Sequence, residues 1–105
     1  MKVFSFFYFP VGKESLPVWD ENPLIILLDF TSDGFIGLNL HYINENDRLF
    51  YYQIINEFNL ISWRRLRQIP GSKKSIHRYI NDGVLNLHEI TEIEPIIHTK
   101  GIWRP

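Results

Sequence analysis

The most constraining stretch of the chain is Leu24 to Ile43, where an apolar run, a turn and an alternating segment follow one another. Leu24 to Phe30 reads Leu-Ile-Ile-Leu-Leu-Asp-Phe, bounded by Pro23 and a polar turn. An apolar run this short, so bounded, predicts a strand buried on both faces. Thr31-Ser32-Asp33-Gly34 supplies the turn, with Gly34 free to take a positive φ. Phe35 to Ile43 then alternates, with Ile36, Leu38, Leu40 and Tyr42 on one side and Phe35, Gly37, Asn39 and His41 on the other. Two such runs across an Asp-Gly turn predict a hairpin over residues 24–43. A hairpin alone is marginal in water, so the rest of the chain must cover it.

The period then changes. Phe50, Ile54, Phe58 and Ile61 recur at helical spacing beside Tyr51 and Ile55. Asn44, followed by Asp47, resembles an N-cap with an acidic first turn, and Asn59 is placed to close the helix, so the main helix is expected at about 46–58. Val3 to Phe9 is rich in aromatic and β-branched residues and reads as an N-terminal strand. Val11 to Pro23 reads as a loop. After Pro70-Gly71, Ser72 or Ser75 would cap a short second helix with Ile76, Tyr79 and Ile80 on its apolar face, ended by Gly83. Leu85 and Leu87 alternate with Asn86 and His88 as a further strand. Ile90 and Ile93 break that alternation, which implies a bulge or bend. Pro95 would open a last extended piece, Ile96-Ile97-His98. The expectation is one α+β domain over residues 1–105. Its small antiparallel sheet, built from the hairpin and the N- and C-terminal strands, packs with one main helix and a short second helix. The apolar Met1 to Phe9 segment is too short for a signal peptide, and no apolar run approaches the ~20 residues of a membrane span.

Charge is segregated although the net charge is only −1. Arg64, Arg65, Arg67, Lys73, Lys74 and Arg78 are six of the eleven basic residues, and no acid lies between Asn59 and Asn81. The remaining five bases stand against twelve acids, a balance of −7. Three readings of this block, with His77 inside it, stay open. It can contact nucleic-acid phosphates, with Trp63 and Tyr79 as stacking residues. It can dock on the acidic stretch from Asp82 to Glu94 or on an acidic partner protein. It can also be a solvated face. Aromatics make up 15% of the chain, which serves either a ring-built core or aromatic surface against a partner; Trp63, Tyr79 and Trp103 are the candidate aromatic contacts.

Catalytic patterns are missing. His41, His77, His88 and His98 follow no metal-ligand spacing, and without cysteine no thiolate site or disulfide can form. A structural, hydrogen-bonded role is expected for His41. Asp20 and Glu21 are adjacent, a spacing that does not specify a general acid and base. There is no nucleophile elbow, no Gly-rich phosphate loop and no metal-carboxylate pair with a neighbouring Lys. The expectation is a non-enzyme without cofactor or metal. Within the hairpin, Gly37 inside a strand suggests close approach of another backbone or ring. Asn39 and His41 share a face and can bond to a neighbouring loop.

Two blocks carry a family resemblance. Asp20-Glu21-Asn22-Pro23-Leu24-Ile25-Ile26 followed by Asp33-Gly34-Phe35-Ile36-Gly37-Leu38-Asn39-Leu40-His41-Tyr42 resembles small virion or DNA-packaging proteins of large contractile-tailed bacteriophages, of the DNA-end-protector or head-completion type. Arg48 matches an early helix Arg of that group, and Ile76-His77-Arg78-Tyr79-Ile80 resembles a later basic-aromatic block. Gly37, Asn39, His41 and Tyr42 form the specific, fold-defining part. The chain departs from the pattern at Val18-Trp19-Asp20 and at Asn44-Glu45. The resemblance implies a virion structural or assembly component (tail, baseplate, connector or head-completion piece) acting through protein contacts with other virion proteins or further copies of itself. The alternative it implies is a DNA-binding or DNA-end-protecting packaging protein that uses residues 64–78. Either would reside in the virion or the host cytoplasm, with no membrane partner.

Overall fold

The computed structural model describes residues 2–10, 18–58 and 72–104. Among these residues, seven strands and two α-helices follow in order: β1 Val3–Tyr8, β2 Trp19–Asp20, β3 Leu24–Phe30, β4 Gly34–Asn39, α1 Glu45–Phe58, β5 Ile76–Ile80, β6 Val84–Glu89, α2 Ile93–His98 and β7 Trp103–Arg104. β5-β4-β3-β1-β6 form one antiparallel sheet, and β2 and β7 form a two-stranded one. The fold is α+β, with one main helix and one short helix.

The predicted hairpin is the centre of the sheet. Phe30 lies opposite Phe35 and Ile25 opposite Asn39, with Leu28 bulged where Leu27 and Asp29 face the adjacent Gly37 and Ile36. Alternation assigns the two faces. Val3, Leu24, Ile26 and Leu38 point to one side and pack with Leu40, Ile43, Tyr51, Ile55 and Ile96, so both helices lie on that face. Phe6, Tyr8, Ile25, Phe35 and Tyr79 point to the other. There the Phe6 ring meets Tyr8, Phe35 and Tyr79 edge-on at 5.2–6.2 Å between centroids, the offset geometry that ring quadrupoles favour.

Several expectations change. Ile76 to Ile80 is a strand, not a helix: β5 pairs along β4 with Tyr79 opposite Phe35 and His77 opposite Gly37. The i, i+3, i+4 spacing of Ile76, Tyr79 and Ile80 suits either element, and pairing with the hairpin decides it. The short helix lies instead at Ile93–His98, where an extended piece was expected. Pro95 is its third residue, where the missing N–H costs nothing because first-turn donors have no intrahelical acceptor. The hairpin strand ends at Asn39 rather than Ile43, because the Asn39 side chain accepts the His41 backbone N–H and turns Leu40–Tyr42 into a 3-10 turn. β3 is buried over Leu24–Ile26 only, and Asp29 and Phe30 are exposed. Part of the expected loop, Trp19–Asp20, is a strand. The bulge in β6 comes earlier than Ile90, at Asn86, whose φ is 56°. Gly37 is approached by a side chain rather than a backbone or ring: a Cβ there would lie 2.5 Å from Ile25 Cδ1. Asn59, Ile61 and the Pro70-Gly71 break lie outside the described residues. Among those residues, no helix is long and apolar enough to cross a membrane.

Candidate nucleic-acid interface

Two groups of polar residues meet at the β4–β5 end of the sheet. The first is a buried seam. Asp20, 3% exposed, accepts four hydrogen bonds. Its Oδ2 receives Asn39 Nδ2 at 3.1 Å and His41 Nδ1 at 2.6 Å, and its Oδ1 receives the backbone N–H groups of Asn22 and Ile102 at 3.1 and 3.0 Å. Burial pushes the Asp20 carboxyl up, but the hydrogen bonds and charge from His41, with those from Asn39 and Ile102, outweigh it and hold it below its ordinary range. His41 Nε2 lies 3.0 Å from Thr99 Oγ1. Arg48 completes the seam from α1. Its Nε donates to the Ile43 carbonyl, and its Nη1 donates to the carbonyls of Ile97 and Thr99 at 2.9 and 2.6 Å. A guanidinium 3% exposed is thus bound by carbonyls at the C-terminus of α2, whose dipole end is negative. Burial lowers its pKa from the ordinary arginine value. The seam ties the segment after α2 to the hairpin, and β7 pairs there with β2, with Arg104 also bound to Glu21.

His41 therefore bonds to the loop after α2 through Thr99 and is hydrogen-bonded as expected, whereas the partner that Asn39 and His41 share, Asp20, lies on strand β2. Sequence reasoning missed Asp20 as their common acceptor. The available signal was an Asp two residues before Asn22, the spacing of an Asx turn.

The second group is a basic edge. Lys73 and Lys74 sit on a 3-10 turn, Lys73–Ser75, that leads into edge strand β5, and both are exposed. Arg78 follows on β5, its side chain 55% exposed and 2.5 Å from Asp33 across the hairpin turn. Arg78 therefore pairs with Asp33, and among the described residues no ion pair joins the block to the acidic stretch from Asp82 to Glu94. Hydrogen bonding to Arg78 holds Asp33 below the ordinary carboxylate range. His77 donates Nε2–H to the Lys74 carbonyl at 2.7 Å. Burial lowers its pKa from the ordinary imidazole value, which favours the neutral ring. Tyr79 is 5% exposed in the aromatic core, so it is not free to stack on a ligand. Trp103 is 43% exposed and meets Tyr42 edge-on at 4.8 Å, and Tyr42 in turn packs against His77 at 4.6 Å. Trp63, Arg64, Arg65 and Arg67 lie outside the described residues.

Between seam and edge lies an open recess of about 230 Å³, lined by Trp19, Asp20, Asn39, Tyr42, His77 and Arg78 among others. Chemically, the recess offers one guanidinium, Arg78, the Asp20 carboxylate and aromatic rings, with Lys73 and Lys74 exposed on the turn that leads into β5. Among the described residues no three His, Asp or Glu side chains are grouped to hold a metal ion.

No match to a curated protein or to a solved structure was found. The model of the phage T4 terminal DNA protecting protein family matches residues 1–105, and the chain belongs to that family.

Proposed function

We propose that this chain binds and shields the ends of phage DNA, with the basic residues between 64 and 78 contacting backbone phosphates. The observation that carries the reading is the exposed cation edge of Lys73, Lys74 and Arg78 beside an aromatic recess, in a chain of a terminal DNA protecting family. Phosphate contacts position a protein on DNA without reading sequence, which suits a task that must work on any terminus. Shielding then needs no chemistry: a bound domain denies an exonuclease access to the last base pairs. The family match favours this reading over a purely structural virion role. Exposed Phe7, Phe9, Leu85 and Leu87, on β1 and β6 or just beyond them, support contact with a virion partner at the other side of the sheet, and that contact can coexist with DNA binding.

The test is a gel shift with linear and circular duplex of one sequence at low salt, coupled to digestion by a processive exonuclease. Linear DNA should shift and resist digestion, and circular competitor should displace it poorly. No shift at micromolar protein, or equal competition by circular DNA, overturns the proposal.

A further inference from the structure

The recess beside β5 is not needed for phosphate contacts, which the exposed cations can make alone. Its walls are mainly aromatic: Trp19, Tyr42 and His77. Tyr42 is held in place, packed between His77 and Trp103. Trp19 Nε1 is buried and has no hydrogen-bond partner. A buried indole N–H normally finds an acceptor, so this one is a donor in want of a ligand. His77 spends its Nε2–H on the Lys74 carbonyl, and the residue lines the same recess. The volume, about 230 Å³, is below the roughly 300–1,000 Å³ of drug-sized sites and on the scale of one ring system. Arg78, itself a lining residue, stands at the cationic rim.

We propose that the recess accepts one unpaired nucleobase at a DNA terminus, held against the Trp19–Tyr42–His77 ring wall while its 5′ or 3′ phosphate meets Arg78. This deepens the end-binding reading and rests on it. A terminal base is the cheapest to unpair and unstack, so an end supplies such a ligand where an internal site does not. The Trp19 N–H has no partner, and an acceptor on the edge of a base would supply one, whereas an aliphatic side chain would not. Ring contact is sequence-tolerant because every base has a π-face.

The experiment compares one duplex in three forms: blunt, with a short single-stranded overhang tested as 3′ and as 5′, and with the same overhang made abasic. Base stacking predicts that one overhang polarity binds roughly five- to hundredfold more tightly than blunt duplex. The abasic overhang keeps the added phosphates and should lose that gain. Trp19→Phe retains the ring but deletes the N–H, and should lower the overhang gain about two- to tenfold. Tyr42→Ala should abolish the gain. Because Tyr42 also packs against His77 and Trp103, Trp19→Phe and the abasic probe carry the test if that variant does not fold. Equal affinity for intact and abasic overhangs overturns the inference while leaving end binding in place. Failure of all three probes to bind overturns the end-binding reading and the inference with it.

Discussion

In the seam, the charges of Asp20 and Arg48 are withdrawn from water and each is met by three or more hydrogen-bonding groups. Along the edge from Lys73 to Arg78, the cations stand in solvent, and only Arg78 meets an anion among the described residues. The two lie on either side of one recess, and the same kinds of side chain do opposite work. A buried charge with all its bonds made is costly to disturb, since its neighbours lose their only partners. An exposed one contributes little to stability and stays available to a ligand. Asn39 and His41, in the specific part of the motif that resembles a phage family, fall in the first region and report how the chain folds, while the looser later block carries His77 and Arg78 into the second.

The sharpest way to break this contrast is at Arg48. Arg48→Ala leaves the carbonyls of Ile43, Ile97 and Thr99 without their guanidinium donor and removes the polar tie between α1 and the end of α2. A loss of about 3–5 kcal/mol is expected in urea unfolding. A loss near that of an ordinary surface substitution would mean that water can replace the guanidinium, and that the seam is less closed than its burial indicates.

Next comes the strand that joins the regions. β4 carries Asn39 to the seam and holds β5 in register for the edge. A side chain at Gly37 would meet Ile25 at 2.5 Å, so Gly37→Val should cost roughly 1–3 kcal/mol through overpacking. Gly34→Ala should cost more than Gly37→Ala, because its Cβ would fall 1.8 Å from the Tyr79 carbonyl oxygen, a backbone atom that cannot swing aside. Shortening the neighbour in Gly37→Ala/Ile25→Val should restore part of the loss. Thermal melts of the set decide it, and an unchanged midpoint for Gly37→Val would show that Ile25 yields freely.

The sequence made this central strand legible, together with α1, because both have a clear period: two for Gly34–Asn39 and near 3.6 for Phe50, Ile54 and Phe58. Where a segment's period is short and its partner distant, the reading failed. Ile76–Ile80 has only five residues, and its pairing with residues about forty positions earlier is invisible locally. Ile93–His98 was masked by Pro95, a residue that tolerates a helix's first turn as readily as it opens a strand. Asp20 looked like half of an unremarkable acidic pair. Its bonds to Asn39, His41 and Ile102 span 19 to 82 positions, so no local pattern encodes the convergence. The basic edge was legible as composition, because solvated charge needs no partner to be noticed.

Asp20 offers a smaller and pH-dependent test. Its folded pKa lies below the ordinary carboxylate value of about 3.9, so in the window between them the unfolded chain binds more protons and stability rises with pH. The stabilisation is complete above about pH 4 to 5 and is lost as pH falls through the folded value. Asp20→Asn turns one acceptor oxygen into a donor facing N–H groups, and should cost about 1–3 kcal/mol at pH 7. The gap between variant and parent should narrow as pH falls below 4, read from urea midpoints across the range. A gap constant down to pH 2 would assign the effect to shape rather than charge.

The smallest expected change in stability is at the edge, and it is the one that separates the regions most cleanly. Lys73 and Lys74 are exposed, and their carbonyls, which accept from Ile76 N–H and from His77 Nε2–H respectively, are backbone atoms that any substitution retains. Lys73→Gln/Lys74→Gln should therefore shift unfolding by no more than about 0.5 kcal/mol. Duplex binding should respond instead. Each phosphate contact releases counterions, so removing two should flatten the dependence of log affinity on log salt by up to about 1.8. Because phosphates carry no sequence, the weakening should be the same for duplexes of unrelated sequence. A variant that melts like the parent but binds with a flatter salt slope keeps folding and binding apart, as the two regions imply. A variant with an unchanged slope removes these lysines from the DNA contact, and one that melts several degrees lower shows that the edge supports the fold as well.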